Sequence, residues 1–169
     1  MSYIEILILR HLRRRSAHGY ELRKRVERTV GVTLHNNSLY PALKRFEDAG
    51  AVTRTPEPSE NGRPPRQVYT ITPVGRDLLH DMIADFPPDQ ARDDTEFMAR
   101  LGQFSLLTAP ERLAVLDART IALNERLHHH REMLALAADE PWGQIVTAEL
   151  IRRDEAELAW IAGLTDEAR

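Results

Sequence analysis

The stretch NNSLYPALKRFEDAG, Asn36 to Gly50, decides the fold. Asn36 or Asn37 supplies a side-chain acceptor suited to a helix start, and Gly50 stands where helices commonly end in a left-handed residue. Between them Leu39, Leu43 and Phe46 share one face. At about 100° per residue the opposite side carries Asn37, Pro41, Lys44 and Asp48, with Ser38 and Arg45 on one shoulder and Tyr40 on the other. Counted from an Asn37 cap, Pro41 is only the fourth helical residue, so its missing N–H costs little and no break is expected. The spacing therefore describes a short helix anchored from behind by apolar side chains and presenting polar ones in front.

On the N-terminal side of this helix, Ile4, Leu7, Ile8 and Leu12 predict a helix from Ser2 to about Arg14, which Ile6 and Leu9 make apolar on more than one side. A break at Ser16–Gly19 leads into a second helix with Leu22, Val26 and Val30 as its stripe, closed by Gly31. On the C-terminal side, Ala51–Thr55 and Arg66–Thr72 read as two strands around a tip holding Pro56, Pro58, Asn61, Gly62, Pro64 and Pro65. Thr72 followed by Pro73 restarts a fourth helix that continues through Ile83. Three helices followed by a hairpin make a winged helix-turn-helix, whose third helix enters the major groove while the wing reaches a neighbouring backbone.

Phe86–Asp89 reads as a linker, which divides the chain into a DNA-binding domain, residues 1–86, and a helical domain, residues 87–169, expected to dimerise and to hold any effector. The second part shows a helix around Thr95–Leu107, then a long one from Thr108 or Pro110. Along it Leu113, Leu116, Thr120, Leu123, Leu127, His130 and Leu134 recur at steps of three and four, a seam that wants a partner helix. Leu113, Leu116, Leu123, Leu127 and Leu134 are thus the predicted dimerisation residues. A last helix from about Trp142 to Leu164 has Ile151, Leu158 and Ile161 as its apolar side. The fold class is mainly α, with a small β component (α+β).

Charge separates along the same line. Residues 1–80 carry 14 Lys and Arg against 8 Asp and Glu, and residues 81–169 carry 9 against 18, so a basic half precedes an acidic one within a net charge of −3. A polyanion would be met by the first half alone. The chain has no cysteine, which removes disulfides and thiolate chemistry. No run reaches the roughly 18 to 20 apolar residues of a membrane span, and a cytoplasmic address is expected.

The candidate DNA-binding residues follow from chemistry. Asn37 and Ser38, at the start of the third helix, are short hydrogen-bonding side chains for base edges or phosphate, and free N–H groups there favour anions. Lys44 suits a phosphate, and Arg45 flanks the same face. The Tyr40 hydroxyl either bonds a phosphate or the ring packs under the wing. Arg63 and Arg66 sit on a tip stiffened by Pro64 and Pro65, as insertion into a narrow minor groove or phosphate binding requires. His128, His129 and His130 are consecutive on a helix, point about 100° apart and cannot converge on one metal ion. No cofactor is expected, and no nucleophile-and-base word or phosphate-cradling glycine loop supports an enzyme. Trp142 and Trp160 read either as the lining of an effector pocket or as packing. A winged helix used as a protein-interaction module is the alternative function.

The words HGYEL (His18–Leu22), SLYPALKRFEDAG (Ser38–Gly50) and GRPPRQVYTITPVGR (Gly62–Arg76) resemble the signature of the PadR family of transcriptional regulators. The resemblance covers about residues 4–80 and is looser beyond residue 93. It implies a homodimer held largely by C-terminal helices, binding a near-palindromic operator and repressing transcription, with small-molecule effectors in some members. By position it implies that Tyr20 touches a phosphate, that Ser38, Tyr40 and Lys44 fall among recognition-helix contacts, and that Arg63 and Arg66 lie on the wing. Two departures are Asn37, where many relatives have Gly, and Val68, where relatives often carry Tyr.

Overall fold

In the computed structural model the chain folds into two compact units, Met1–Ile83 and Ala84–Arg169. The structure describes residues 2–31, 36–58, 66–137 and 140–169, with Asn36 and Asn37 described at the backbone only.

The first unit runs α1 (Tyr3–Arg14), β1 (Ala17–His18), α2 (Gly19–Val30), α3 (Asn36–Asp48), β2 (Val52–Glu57), β3 (Arg66–Ile71) and α4 (Pro73–Ala84). Ile6, Leu7, Ile8, Leu9 and Leu12 of α1 are all buried, as its wide apolar surface requires. Leu22 and Val26 of α2, Leu39, Leu43 and Phe46 of α3, and Leu79 and Ile83 of α4 are buried as well, with α1 packed on α2, α3 and β3. Gly31 and Gly50 end their helices with φ of 73° and 69°. Helix α3 starts at Asn36 and continues through Pro41, which forgoes one early bond and leaves the remaining turns intact. Thr72 caps α4: its hydroxyl accepts from the Gly75 N–H at 3.1 Å and donates to the Gly50 carbonyl at 2.7 Å. At Gly75 a Cβ would stand 2.1 Å from the Ala51 carbonyl oxygen, so only glycine lets α4 approach the start of β2.

The sheet is antiparallel, ordered β1-β3-β2, with Val52 opposite Ile71 and Glu57 opposite Arg66. Strand β1 has no sequence periodicity, being two residues long. Its pairs Ala17 with Tyr69 and His18 with Val68 fasten the helix-turn to the wing.

In the second unit, α5 (Pro88–Ala91), α6 (Asp94–Leu101) and a 3₁₀ turn at Phe104–Leu106 precede two long helices, α7 (Ala109–Leu136) and α8 (Pro141–Ala168). The expected linker is different in kind: Phe86 is buried and stacks on Phe97 at 6.3 Å, and α5 follows at once. The helix expected over Thr95–Leu107 stops at Leu101 and resumes as the 3₁₀ turn after Gly102. Helices α7 and α8 pack on one another as an antiparallel hairpin, tied by Arg119 to Glu157 near mid-length and by Arg131 to Glu155.

The predicted partner seam needs correction. Leu116, Leu123 and Leu127 are 1%, 0% and 5% exposed within the single chain, while Leu113 and Leu134 are half-buried. The apolar face of α7 is covered by the chain's own α8 and α5, so three of the five leucines form an internal core and present nothing to a second copy. Arg119 lies within that core at 0% exposure. Its Nε and guanidinium nitrogens donate to Glu157, Asp94 and the Ala91 carbonyl, the last at 2.8 Å, so the buried charge is fully matched.

Candidate nucleic-acid interface

Helix α3 is anchored by Leu39, Leu43 and Phe46 in the core, and ion pairs at its surface link it to the scaffold. The Arg45 guanidinium pairs with Glu5 of α1, whose other carboxylate oxygen accepts from the Ser2 N–H at 2.9 Å. Arg54 of β2 pairs with Glu47 at 3.4 Å. Arg45, also expected among the DNA contacts, pairs with Glu5 of α1 while its side chain stays 61% exposed. The front of α3 is left to Ser38, half-buried, Tyr40, 46% exposed, and Lys44. Tyr40 and Lys44 are four residues apart and so share a face. The Lys44 ammonium lies 2.9 Å from Asp48, an exposed i,i+4 pair of the kind worth about 0.3–0.5 kcal/mol, which a phosphate can displace.

Tyr40 packs on one side and is open on the other. Its ring leans over the start of α2, with Cε1 3.0 Å and Oη 3.2 Å from where a Cβ on residue 19 would stand. The glycine of HGYEL is therefore the seat of this tyrosine, and a larger residue would push the ring away. The remaining half of Tyr40 faces a groove of about 680 Å³ that it lines with His18, Tyr20, Arg66, Gln67 and Tyr69. Tyr20 is 64% exposed and Arg66 is exposed at the first residue of β3. Tyr20, Tyr40 and Arg66, far apart in sequence, thus line one concavity between α2, α3 and the wing. Arg63 lies outside the described residues, as does the Asn37 side chain.

His18, Gln67 and Tyr69 are among the members that sequence reasoning missed. The His18 ring spans the groove's floor: Nδ1 is 3.3 Å from the Gln67 carbonyl and Nε2 is 3.0 Å from a Glu57 carboxylate oxygen. It joins the start of α2 to both wing strands. The signal was present in HGYEL, but strand β1, to which His18 belongs, is too short to be read from a pattern.

Charge on the neighbouring face of α1 and α2 is strongly positive. Burial, and then the charges of Arg10, Arg25 and Arg14, lower the His11 pKa from 6.5 to about 4. His11 Nε2 lies 3.0 Å from the Thr29 hydroxyl, which itself donates to the Arg25 carbonyl. In the second unit, His130 Nδ1 is 2.8 Å from Asp154 and His128 is 3.3 Å from Glu132, and among the described residues no three groups gather as metal ligands. Trp160 packs edge-on against Phe97 at 6.3 Å, whereas Trp142 is 80% exposed. No helix is long and apolar enough to cross a membrane among the described residues.

Comparison with known proteins gives the same frame. The model of the family described as "Transcriptional regulator PadR-like family" matches residues 8–81. The negative transcriptional regulator PadR of Bacillus subtilis (strain 168) is 23% identical over 177 residues, covering 97% of this chain and 96% of that protein. A PadR family transcription regulator from Clostridium difficile R20291 is 31% identical over 46% of this chain and 80% of its own, with a TM-score of 0.41. Bacillus subtilis PadR in complex with operator DNA is 20% identical over 100% of this chain and 99% of that chain, with a TM-score of 0.47. The matches in sequence carry the relationship.

Proposed function

Since the chain belongs to the PadR-like family of transcriptional regulators, we propose that it represses transcription as a homodimer bound to a near-palindromic operator. In this reading α3 enters the major groove. Ser38 and Asn37 meet base edges or phosphate, Tyr20, Tyr40 and Lys44 hold the backbone, and Arg66 with Arg63 reaches from the wing. The observation that carries it is the convergence of Tyr20, Tyr40 and Arg66 on one groove, beside a helix whose exposed front shows Lys44. Such a protein acts where the DNA is, in the cytoplasm.

The dimer contact is assigned to apolar side chains of the second unit that its own core leaves uncovered: Leu136 and Trp142 at 80% exposure, with Ile145 and Val146 one turn on. Release by a small-molecule effector belongs to the same reading. A groove of about 330 Å³ beside Leu101, Phe104, Arg112 and Leu164 is its candidate seat, at the lower end of the size range of ligand sites.

A salt titration tests the reading, using the full-length chain and a duplex taken from upstream of its own coding region. Affinity is expected to fall steeply as salt rises, with log K losing about 0.9 per decade for each phosphate neutralised. Lys44→Ala should make that slope shallower by about one unit. A flat response would contradict DNA binding and leave the protein-interaction module as the better account.

A further inference from the structure

Helix α2 carries cations that the groove between α2, α3 and the wing does not use. Lys24 and Arg28 follow Tyr20 at intervals of four residues, each step turning the face by only about 40°. The three residues therefore form one gently winding stripe along the exposed side of the helix. A second shallow groove, of about 500 Å³, runs there, lined by Tyr20, Glu21, Lys24, Arg25 and Arg28. It shares Tyr20 and Glu21 with the first groove, so the two are continuous.

The charges along it are available to a ligand. Glu21 is already matched by Arg25 at 3.6 Å, and Arg25 also donates to the Arg15 carbonyl. The Lys24 ammonium rests 5.6 Å from the centre of the Tyr20 ring, and both Lys24 and Arg28 are exposed. Behind the stripe, Arg10 and Arg14 of α1 add positive charge, and the Arg10 Nε has no hydrogen-bond partner among the described residues. The field is strong enough to contribute, after burial, to the depressed pKa of His11.

We propose that Tyr20, Lys24 and Arg28 form a rail for the DNA backbone, which extends contact beyond the half-site that α3 reads. From Tyr20 to Arg28 the helix rises about 12 Å. Lys24 and Arg28 offer one cation each over that length, so the rail neutralises up to two phosphates of one strand. Phosphate contacts of this kind add affinity without sequence preference. The assignment rests on the DNA-binding reading above, which it deepens.

The test uses the full-length chain and a labelled mixed-sequence duplex of about 40 base pairs, titrated between about 50 and 200 mM salt. Lys24→Ala/Arg28→Ala removes the rail; Arg152→Ala/Arg153→Ala removes the same charge from α8. Exposed helix positions accept alanine, the best helix former, so both proteins are expected to fold, as far-UV circular dichroism verifies. The rail variant should show a slope of log K against log salt shallower by about 1.8, while the α8 variant keeps the parent slope. An unchanged slope in the rail variant overturns the rail. So does an equal loss in both variants, which would mark a net-charge effect. If the parent itself shows no salt dependence, it is the DNA-binding reading that fails.

Discussion

At the scale of single residues, type and spacing in the sequence identified most of the proposed contact surface but did not assign partners. Lys44 and Arg45 are adjacent, basic and exposed, yet one faces Asp48 across a weak surface pair and the other braces α3 against Glu5. Only three-dimensional proximity reveals the second of these partners, because Glu5 is 40 residues away. His11 shows the same limit: a histidine in a run of arginines reads as one more cation, but burial and those arginines keep it neutral. Between pH 6.5 and about 4 the unfolded chain takes up a proton at His11 that the folded chain refuses. Stability is therefore retained above that window and lost as pH falls through it. Because the ring is only partly buried, solvent screening limits the loss to about 1–2 kcal/mol. Urea midpoints at pH 7 and pH 4.5 should fall further for the parent than for His11→Gln; parallel falls would contradict the assignment.

At the scale of elements, those with a long apolar period were legible and those without were not. The four helices and the two wing strands of the first unit stand within a few residues of expectation, because one-sided burial imposes the spacing seen in Leu39, Leu43 and Phe46. Strand β1 and helix α5 escaped notice, having two and four residues on which no period can be written. The α7 seam was read correctly as apolar and given the wrong neighbour. A heptad-like stripe specifies that a helix will cover it, not which chain supplies that helix, and here α8 returns within the same chain. Leu123→Ala, at a site with 0% exposure, should then cost about 2–5 kcal/mol in thermal or urea unfolding of the C-terminal unit. Ile145→Asp/Val146→Asp, at exposed positions, should instead give folded monomers in sedimentation analysis. A folded monomer from Leu116→Asp or Leu123→Asp would restore the original seam.

At the scale of the whole molecule, charge and burial describe a division of labour. The basic first unit carries the exposed tyrosines and free cations, and the acidic second unit matches its buried cations internally, as Arg119 does with Asp94 and Glu157. In the proposed reading, a chain so divided binds a polyanion with one part and offers exposed apolar side chains on the other to a second copy. Two copies then hold two reading helices, and the spacing of their sites becomes a property of the protein. The most direct measurement is selection from a pool of random-sequence duplexes by the full-length protein, followed by sequencing of the bound fraction. The account predicts enrichment of an inverted repeat whose half-sites lie about 10–10.5 base pairs apart, centre to centre, or a multiple of that. A pool that is retained without any enriched sequence, or not retained at low salt, would contradict it.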